Sequence, residues 1–589
     1  MPSGKGNVIY SLKLINRFAR RYLIISLFLS IFEMVLPIVN VYGLKVVIDS
    51  VESGKSFAET LRFLMILFAI LLSSYVVSSL YKKRYRPVEV KKIRGRLREY
   101  FYSIASSVDL EYYDNTDFYN KYVKALSEME GRIFGLISIM CNIVGSVSCL
   151  VTVVALAISM DWFVLLISFI SIVFSVGFSI LGQNVKFAED NESILPERRM
   201  QYVDRVYFLS QFAKEIRIFT LGGYLKRILN DSNSQSIEVT KKYSGKQTAI
   251  TLMSSAVNVL YIIGIMVYLS YRASRGYISV GDFAALLTAS QSFNAQFESL
   301  FDCIPKIHEN AMYMGYIREF SDSRSAIEDK LQGESMSYGR SPKIEIENVS
   351  FSYPGTDKKV IDNISLTVNE GEAVAVVGEN GVGKSTLLKL LLRLYDVDEG
   401  VIRYNGTPVS DYNIKSLRGN IGVVFQDLQH YSMSVRENLC LYKENISDDE
   451  IYSALRQVGM EEKIKSFPKG LDTVIGREFD PEGVEFSGGE YQKLSLARAI
   501  LYNQGMVILD EPSSALDPIS EAKFRDNLRV LCRDRTAVIV SHRLALTRSA
   551  DKIVVVDGGR IVEAGSHDQL MQLKGKYAEM FENQAKDYQ

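Results

Sequence analysis

The sequence predicts a multidomain protein in which an all-α transmembrane domain of six helices precedes an α/β domain. Six apolar stretches fall before residue 310, and each is close to the ~20 residues that span a bilayer core as a helix. No apolar run of that length follows, and short strand-like runs lead instead into a glycine-rich loop. We therefore predict a transmembrane domain over 1–319 and an α/β domain over 343–589. Residues 320–342 are rich in Ser, Gly and charge and are predicted to be a linker.

The composition excludes two classes of protein. The chain has 589 residues, with 68 Lys and Arg against 68 Asp and Glu, so its formal net charge is zero. A strongly basic nucleic-acid-binding protein and an acidic disordered chain are both excluded, and we expect no nucleic-acid partner. The 5 cysteines and 4 histidines are scattered, which predicts neither a disulfide framework nor a metal cluster.

The six membrane helices are predicted from the apolar stretches at 22–48, 60–81, 134–158, 162–182, 248–271 and 278–300. The sixth stretch is the weakest because polar residues interrupt it, and a buried soluble helix is its alternative interpretation. Residues 1–21 are basic, but the apolar run after them is too long for the core of a signal peptide. It also has no small-residue cleavage site, so we expect no cleavable signal.

Basic residues predict the orientation in the membrane. The segment before the first span and the loops at 82–133 and 183–247 are rich in Lys and Arg, whereas 49–59 is nearly free of them. Because cytoplasmic loops carry an excess of Lys and Arg, we expect the N-terminus and the α/β domain in the cytoplasm. The protein is then a multi-pass protein of the cell membrane. Arg272 and Arg275, in the third outer loop, go against the trend.

Several polar residues lie inside the predicted spans. Glu33 lies in the first span, and a charged side chain at the bilayer centre costs ~2.5–3.5 kcal/mol on insertion scales. It is therefore expected to face a cavity or a partner. The other polar residues at similar depth are Asn40, Asn142, Asn258, Asn294 and Glu298. They either line a substrate path or join the helices by hydrogen bonds, and both interpretations stay open.

A phosphate-binding loop follows the buried strand-like run Ala373–Val377. Residues 378–386 fit the pattern G-x-x-x-x-G-K-[ST], in which glycines let backbone N–H groups surround phosphate oxygens. The helix that follows adds its positive N-terminal end. Lys384 is expected to reach the β- and γ-phosphates and Ser385 to ligate Mg²⁺, which predicts ATP and Mg²⁺ as cofactors. The predicted nucleotide-binding residues of this loop are Gly378, Glu379, Asn380, Gly381, Val382, Gly383, Lys384, Ser385 and Thr386.

A second strand, Met506–Glu511, ends in a pair of carboxylates. Asp510 suits a role at Mg²⁺, either as a ligand or in the surrounding shell. Glu511 is one residue further on, where it can polarise an attacking water as general base. The alternative is a strand end that happens to be acidic, and the phosphate-binding loop in the same domain argues against it.

Between these two motifs lies the segment Phe486–Glu490, Phe-Ser-Gly-Gly-Glu, which resembles the signature sequence of ATP-binding cassette (ABC) transporters. The usual form is Leu-Ser-Gly-Gly-Gln, so Phe486 and Glu490 depart from it. Ser487, Gly488 and Gly489, which matter most for phosphate contact, are kept. The resemblance implies that the α/β domain is a P-loop NTPase of the ABC type, and that these residues and Glu490 bind the nucleotide held by a second cassette.

The remaining cassette motifs are present in order. Tyr353 resembles the aromatic residue that stacks on adenine, and Gln426 resembles the glutamine that contacts Mg²⁺ and senses the membrane domain. His542, after the strand-like run Ala537–Val540, resembles the switch histidine at the γ-phosphate. Together with Glu511, Gln426 and His542 are the predicted catalytic residues, and Ser385, Gln426 and Asp510 are the predicted Mg²⁺ ligands. Two further segments resemble interface elements of the family: Ser514–Asp517, a loop across the dimer, and Glu478, which faces intracellular helices.

The resemblance extends over the membrane half and so covers nearly the whole chain. Six spans, two long inner loops and a C-terminal cassette are typical of exporter-type ABC half-transporters. Asp109–Tyr119 and Phe212–Phe219 resemble the segments around the two coupling helices. A weaker resemblance is to bacterial peptide and lantibiotic exporters. It implies ATP-driven export of a peptide, lipid or amphipathic small molecule by a homodimer, or by a pair with a related half-transporter.

Three alternatives stay open. Some importers of siderophores or vitamins use the exporter fold, and an ATP-gated channel or a sensor could share the same motifs. A peptide exporter that cleaves its own cargo is not expected, because only ~20 residues precede the first span and the first cysteine is Cys141.

Overall fold

A computed structural model of the chain describes residues 4–54, 56–322, 327, 333–426, 429–441, 443, 446–502, 504–512, 528, 531–532 and 534–586. It divides into two compact units. One, here called the helical unit, comprises residues 1–106 and 120–323. The other, the α/β unit, comprises residues 107–119 and 324–589. The short segment 107–119 thus interrupts the helical unit in sequence but belongs to the α/β unit.

Long helices build the helical unit. In chain order they are α1 Gly4–Phe18, α2 Arg20–Glu52, α3 Phe57–Leu80, α4 Arg86–Ala105, and then, after α5 Leu110–Asp114 of the other unit, α6 Thr116–Met160, α7 Phe163–Phe208, α8 Ala213–Ile218, α9 Gly222–Ser274 and α10 Val280–Asp322. A five-residue π-helix, Tyr81–Tyr85, joins α3 to α4. Both long inner loops predicted from the sequence are therefore mostly continuations of the membrane helices.

Four described helical stretches are long and apolar enough to cross a membrane: Phe57–Ala105, Ala125–Met160, Phe163–Phe208 and Gly222–Ser274. The helices over the first and sixth predicted spans, α2 and α10, have 33 and 43 residues but fall outside this set. In α10 polar residues such as Asn294 and Glu298 interrupt the apolar run.

Ion pairs hold the connections between these helices. The carboxylate of Asp161, between α6 and α7, lies 3.0 Å from Nε of Arg272 near the end of α9. This buried carboxylate explains why Arg272 departs from the charge trend of the outer loops, since its charge is neutralised locally. In the same way Lys45 of α2 lies 2.6 Å from Asp282 of α10.

Two sheets form the α/β unit. Its strands are β1 Ile344–Ser352, β2 Lys359–Val368, β3 Ala373–Val377, β4 Glu399–Tyr404, β5 Thr407–Pro408, β6 Ile421–Val424, β7 Met506–Asp510, β8 Thr536–Val540, β9 Lys552–Asp557 and β10 Arg560–Gly565. An antiparallel sheet has the order β2-β1-β4-β5, and a second sheet has the order β10-β9-β3-β8-β7-β6. Strands β9, β3, β8, β7 and β6 are parallel, and β3, β7 and β8 are fully buried.

The parallel register places the functional segments at one edge. Val376 of β3 and Asp510 of β7 both align with Val540 of β8, and Val424 of β6 aligns with Leu509. Because parallel strands share their carboxyl edge, the loops that follow them converge there. The phosphate-binding loop lies at this edge, together with Gln426, Glu511 and His542.

The described helices of this unit, besides α5, are α11 Lys384–Leu391, α12 Ile414–Gly419, α13 Val435–Cys440, α14 Asp448–Gln457, α15 Glu461–Ser466, α16 Gly488–Leu501, α17 Leu544–Thr547, α18 His567–Leu573 and α19 Lys576–Lys586. Helix α11 packs with both sheets around a core that includes Ile344, Val376 and Leu391. Helices α13 to α16 enclose a separate apolar core with Leu455 and Ala497.

The segment 107–119 is part of this unit and contacts it through several described side chains. The Tyr395 hydroxyl donates to the carboxylate of Asp114. The backbone N–H of Ile327 donates to Oδ2 of Asp109 at 3.1 Å. Leu110 packs against the core. The side chains of residues 116–120, in the rest of the predicted coupling segment, lie outside the described residues.

Candidate nucleotide site

The phosphate-binding loop is tightly curled between β3 and α11. Gly383 has φ 105°, and a Cβ there would lie 2.8 Å from the carbonyl oxygen of Val360. A Cβ on Gly378 would lie 2.3 Å from the carbonyl oxygen of Val556. A side chain at either position would therefore force the backbone apart. These close approaches explain why the loop needs glycine at both ends.

Lys384, the first residue of α11, lies beneath this loop. Its side chain is 6% exposed, and Nζ donates to the carbonyl oxygens of Gly378 at 2.9 Å and Glu379 at 2.8 Å. Burial lowers the pKa of the ammonium group, and the nearby carboxylates of Glu511 and Asp510 act in the opposite direction. The loop thus holds a buried positive charge that an anionic ligand can neutralise.

Two acidic residues face this lysine from the end of β7. Asp510 is buried, and Oγ of Ser385 donates to its Oδ1 at 3.4 Å. Glu511 has φ 48°, and its backbone N–H donates to the carbonyl oxygen of Val540 at 2.9 Å. A left-handed backbone is strained for a residue with a Cβ and is found most often at functional sites. Here it turns the side chain of Glu511 out of the sheet edge.

The carboxylate of Glu511 is held from two sides. Nε2 of Gln426 donates to its Oε2 at 3.0 Å, and Nδ1 of His542 lies 3.1 Å from the same oxygen. Gln426 follows β6 and His542 follows β8, so both reach Glu511 from the neighbouring strands. Such a carboxylate is positioned to act on a water molecule as a general base.

These side chains line one cavity of about 560 Å³. Its lining consists of Tyr353, Val360, Asn380, Gly381, Gly383, Lys384, Ser385, Thr386, Gln426, Glu511 and His542. The size is ordinary for a small-molecule site. Loop amides and Lys384 suit phosphate oxygens, whereas hydroxyl, amide and carboxylate oxygens of Ser385, Gln426 and Asp510 are ligands that Mg²⁺ prefers. The residues present therefore fit ATP and Mg²⁺.

Tyr353 lies at the rim of the cavity. Its hydroxyl is 3.0 Å from Oγ1 of Thr386. Its ring centroid lies 5.2 Å from Phe351 and 5.5 Å from Tyr395, and Nζ of Lys389 lies 5.2 Å from it. These contacts fix the plane of the ring, as a stacking platform for a base requires.

The signature residues do not line this cavity. Ser487 and Gly488 are exposed at the start of α16. Oε2 of Glu490 accepts the backbone N–H of Ser487 at 3.0 Å, and its Oε1 lies 2.6 Å from Nζ of Lys463. Burial opposes ionisation, but these partners hold the pKa of Glu490 below its usual value. The carboxylate that replaces the usual glutamine therefore caps its own helix and pairs with Lys463. Phe486, the other departure, is 7% exposed and packs in the apolar core that helices α13 to α16 enclose.

One residue of the site could not be found from sequence motifs. Nε2 of Gln584, on α19, donates to the carbonyl oxygen of His542, and its Oε1 accepts the backbone N–H of Leu544 at 3.0 Å. The amide of Gln584 thus bridges both flanks of the His542 loop. Gln584 lies 42 residues from His542, in an amphipathic helix, and only the fold brings it there.

Other predicted residues stand apart from the cavity. Glu478 is exposed and accepts a hydrogen bond from Oγ of Ser432 at 2.9 Å. Ser514–Asp517 lies outside the described residues, as does the side chain of Asn40.

The polar residues of the helical unit separate into lining and packing groups. Glu33 lies 2.7 Å from Lys82, accepts a hydrogen bond from Ser78, and lines a cavity together with Asn142. The expectation that Glu33 faces a cavity or a partner is therefore confirmed, and both apply. Glu298 lines a second cavity and accepts from Ser175 at 2.8 Å.

Two asparagines of this group do not line these cavities. Asn294 is buried and donates to Ser171 at 3.4 Å, as a packing residue would. Asn258 is exposed on α9.

Comparisons with known proteins identify the transporters that the chain resembles. The family model described as "ABC transporter" matches residues 361–514. The subtilin transport ATP-binding protein SpaT of Bacillus subtilis is 28% identical over 566 residues, covering 94% of this chain and 90% of SpaT. The nisin transport ATP-binding protein NisT of Lactococcus lactis is 27% identical over 586 residues, covering 97% of this chain and 95% of NisT.

A solved structure shares the fold. A bacterial Atm1-family ABC exporter with ATP bound superposes with a TM-score of 0.78 and 21% identity, covering 97% of this chain and 99% of that one. The chain thus carries an ABC transporter domain that includes residues 361–514, and over nearly its full length it shares the fold of a bacterial ABC exporter. It is an ATPase whose hydrolysis drives transport. The predicted family and fold class are confirmed.

Proposed function

We propose that this protein exports a peptide, lipid or amphipathic small molecule across a bacterial cell membrane, driven by hydrolysis of Mg²⁺-bound ATP. The observation that carries the proposal is the meeting of Lys384, Gln426, Glu511 and His542 around one cavity, each from a different parallel strand end. We also propose residues 1–319 as the membrane domain and 343–589 as the nucleotide-binding domain, with the N-terminus and the latter in the cytoplasm.

Each site residue has a role that follows from its position. Lys384 and the loop amides bind the phosphates, and Tyr353 stacks on the adenine. Glu511 takes the proton of the attacking water, since its carboxylate is oriented by Gln426 and His542. Ser385, Gln426 and Asp510 would hold Mg²⁺, which neutralises developing negative charge on the phosphates when bound. Gln584 positions His542 by holding the loop on both sides of it.

The protein is proposed to act as a dimer, either with itself or with a related half-transporter. Ser487, Gly488, Gly489 and Glu490 are absent from the lining of their own chain's cavity, and the first two are exposed. In this family the signature of one cassette completes the ATP site of the other. Two-fold symmetry gives the simplest closed pair, with two such sites. ATP binding would then favour the closed pair and an outward-facing cavity, and hydrolysis would reset it.

A peptide is the favoured cargo. SpaT and NisT, whose names give subtilin and nisin as what they transport, match the chain over nearly its full length. Membrane lipids surround a multi-pass protein, and a lipid is also the alternative cargo.

The decisive experiment measures ATP turnover by the purified chain in lipid nanodiscs, with a panel of peptides, lipids and drugs, and with Glu511→Gln as the blank. Turnover above the blank, raised by one class of compound, supports a self-sufficient exporter and indicates its cargo. Turnover no higher than the blank under all conditions contradicts a homodimer. ATP-dependent uptake of the stimulating compound into inside-out vesicles tests direction, and an importer would instead load right-side-out vesicles.

A further inference from the structure

A cavity of about 530 Å³ lies in the helical unit between α2, the α3–α4 junction and α6. It is separate from the nucleotide cavity and from the cavity lined by Glu298. Its charged lining residues are three bases, Lys82, Arg86 and Arg94, and one acid, Glu33. The cavity therefore carries an excess of positive charge.

The bases are neutralised unequally. Nζ of Lys82 lies 2.7 Å from the carboxylate of Glu33. Arg94 lies 3.2 Å from Glu130, but Arg98 shares that carboxylate at 2.6 Å. Within the part of the chain that the structure describes, no carboxylate lies within ion-pair distance of Arg86. Arg86 is exposed and thus accessible to a ligand.

The π-helix Tyr81–Tyr85 shapes this cavity. The backbone N–H of Arg86 donates to the carbonyl oxygen of Tyr81, five residues earlier, so the wide turn stacks these two residues on one side of the helix. Both side chains line the cavity. The hydroxyl of Tyr81 lies 2.5 Å from Oγ of Ser26 on α2. Single π-turns are frequent at functional sites, and this one presents a guanidinium group and a hydroxyl group together.

Besides polar residues such as Ser30 and Asn142, apolar residues line the cavity, and they come from one end of each helix. Leu29 and Met34 lie in the first part of α2, Val90 at the start of α4, and Phe134 and Ile137 at the start of the predicted span in α6. Because α2, α3 and α6 follow one another with alternating direction, these parts share one side of the membrane. That side carries the basic loops, which places the cavity at the cytoplasmic leaflet under the proposed orientation.

We propose that this cavity binds the phosphate-bearing headgroup of an anionic membrane lipid, with Arg86 as its main contact. A guanidinium group pairs with phosphate through two parallel hydrogen bonds, and the apolar lining accommodates the first part of the acyl chains. Basic pockets between membrane helices on the cytoplasmic side are suited to anionic headgroups. The ligand is a membrane component rather than the cargo, so its binding does not depend on ATP hydrolysis.

The test is native mass spectrometry of the purified full-length protein, titrated with phosphatidylglycerol or phosphatidylcholine of the same acyl chains. We expect tighter binding of phosphatidylglycerol, and Arg86→Gln should weaken it about fivefold, as loss of one basic contact does. Arg86→Lys should keep most of the affinity. The matched control is Arg84→Gln, which removes the same charge two residues earlier, within the π-helix, at a residue that does not line the cavity.

Several results would overturn the proposal. Equal affinity for the two lipids, or an equal loss of lipid affinity in Arg84→Gln and Arg86→Gln, would show that Arg86 does not bind the headgroup. Competition by inorganic phosphate at the same concentration as lipid would show a free-anion site. If the Arg86→Gln protein does not fold, Ser138→Leu is tested instead, because it narrows the cavity without changing its charge. Unchanged lipid binding by the Ser138→Leu protein would also exclude the site. Binding is measured without ATP, so these outcomes are independent of the proposed transport.

Discussion

The helical unit and the nucleotide cavity of the α/β unit differ in how their charges are balanced. In the helical unit, several charged side chains are matched with partners of opposite sign, as in Asp161 with Arg272 and Lys45 with Asp282. In the α/β unit the buried ammonium of Lys384 donates to two carbonyl oxygens, and the carboxylate of Glu511 is held by an amide and an imidazole. A protein can leave buried charges in this state where a charged ligand will neutralise them. The comparison teaches that unmatched charge marks a site more reliably than polarity does.

The strongest test of this comparison is Glu511→Gln. The substitution removes the general base but keeps a side chain of the same shape, so ATP should still bind. Turnover should fall by about 10²–10⁴-fold, as loss of general-base catalysis usually does. Steady-state phosphate release and nucleotide-binding assays measure the two quantities. Glu482→Gln, at an exposed glutamate of the same unit, is the control, and near-normal turnover in Glu511→Gln would remove Glu511 from the role of base.

Lys384→Ala removes the buried charge itself. We expect ATP affinity to fall by about 10–100-fold, because hydrogen bonds to charged groups contribute ~1.5–3 kcal/mol. Equilibrium binding of a fluorescent ATP analogue measures it. Lys469→Ala, at an exposed lysine paired with Asp480 at 3.2 Å, should bind normally. An unchanged affinity in Lys384→Ala would mean that the loop amides alone hold the phosphates.

Gln584→Ala tests whether the His542 loop needs its bridge from α19. The two hydrogen bonds of Gln584 are lost, and a net cost of ~0.5–1.5 kcal/mol to the position of His542 should lower turnover by about 2–12-fold while ATP affinity is kept. A purely structural role would lower the two together, and this difference separates positioning from folding. Asn583→Ala, the exposed neighbour on the same helix, is the matched control. Equal turnover in Gln584→Ala and Asn583→Ala would show that the hydrogen bonds of Gln584 do not position the His542 loop.

The smallest effect is expected at a matched pair of the helical unit. Glu33 and Lys82 are 31% and 53% exposed, so their coupling should be only ~0.2–1 kcal/mol. A double-mutant cycle of Glu33→Gln and Lys82→Gln, followed by unfolding in mixed micelles, measures it. A coupling of several kcal/mol would mean that the pair is desolvated in the membrane. The matched pairs of the helical unit would then differ less from the buried charges of the nucleotide cavity.

Sequence patterns singled out residues that the fold brings together around one cavity, because these residues belong to short motifs at the ends of buried strands. Gly378, Lys384, Asp510 and Glu511 are defined by their local backbone, and the parallel register then brings them together. Gln584 could not be predicted, since its contact with His542 depends on how α19 packs. The sequence also gave no reason for Glu490, which the fold explains as a helix cap paired with Lys463.

The membrane half was less predictable. The helices were evident from apolar runs, but depth alone could not separate Glu33, which lines a cavity, from Asn294, which packs against Ser171. The π-turn that orients Arg86 leaves no trace in hydrophobic periodicity, because Tyr81–Tyr85 is a polar, basic segment at the end of a span.

The contact of Tyr395 with both Tyr353 and Asp114 has a thermodynamic consequence. One face of Tyr395 supports the proposed adenine platform, and its hydroxyl holds helix α5. If bound ATP strengthens the docking of α5 by some factor, then docking of α5 must strengthen ATP binding by the same factor. A substitution made only in segment 107–119 that weakens its docking would then also lower the affinity for ATP. Measuring the two factors independently would show how much of the binding free energy of ATP is transmitted to that segment.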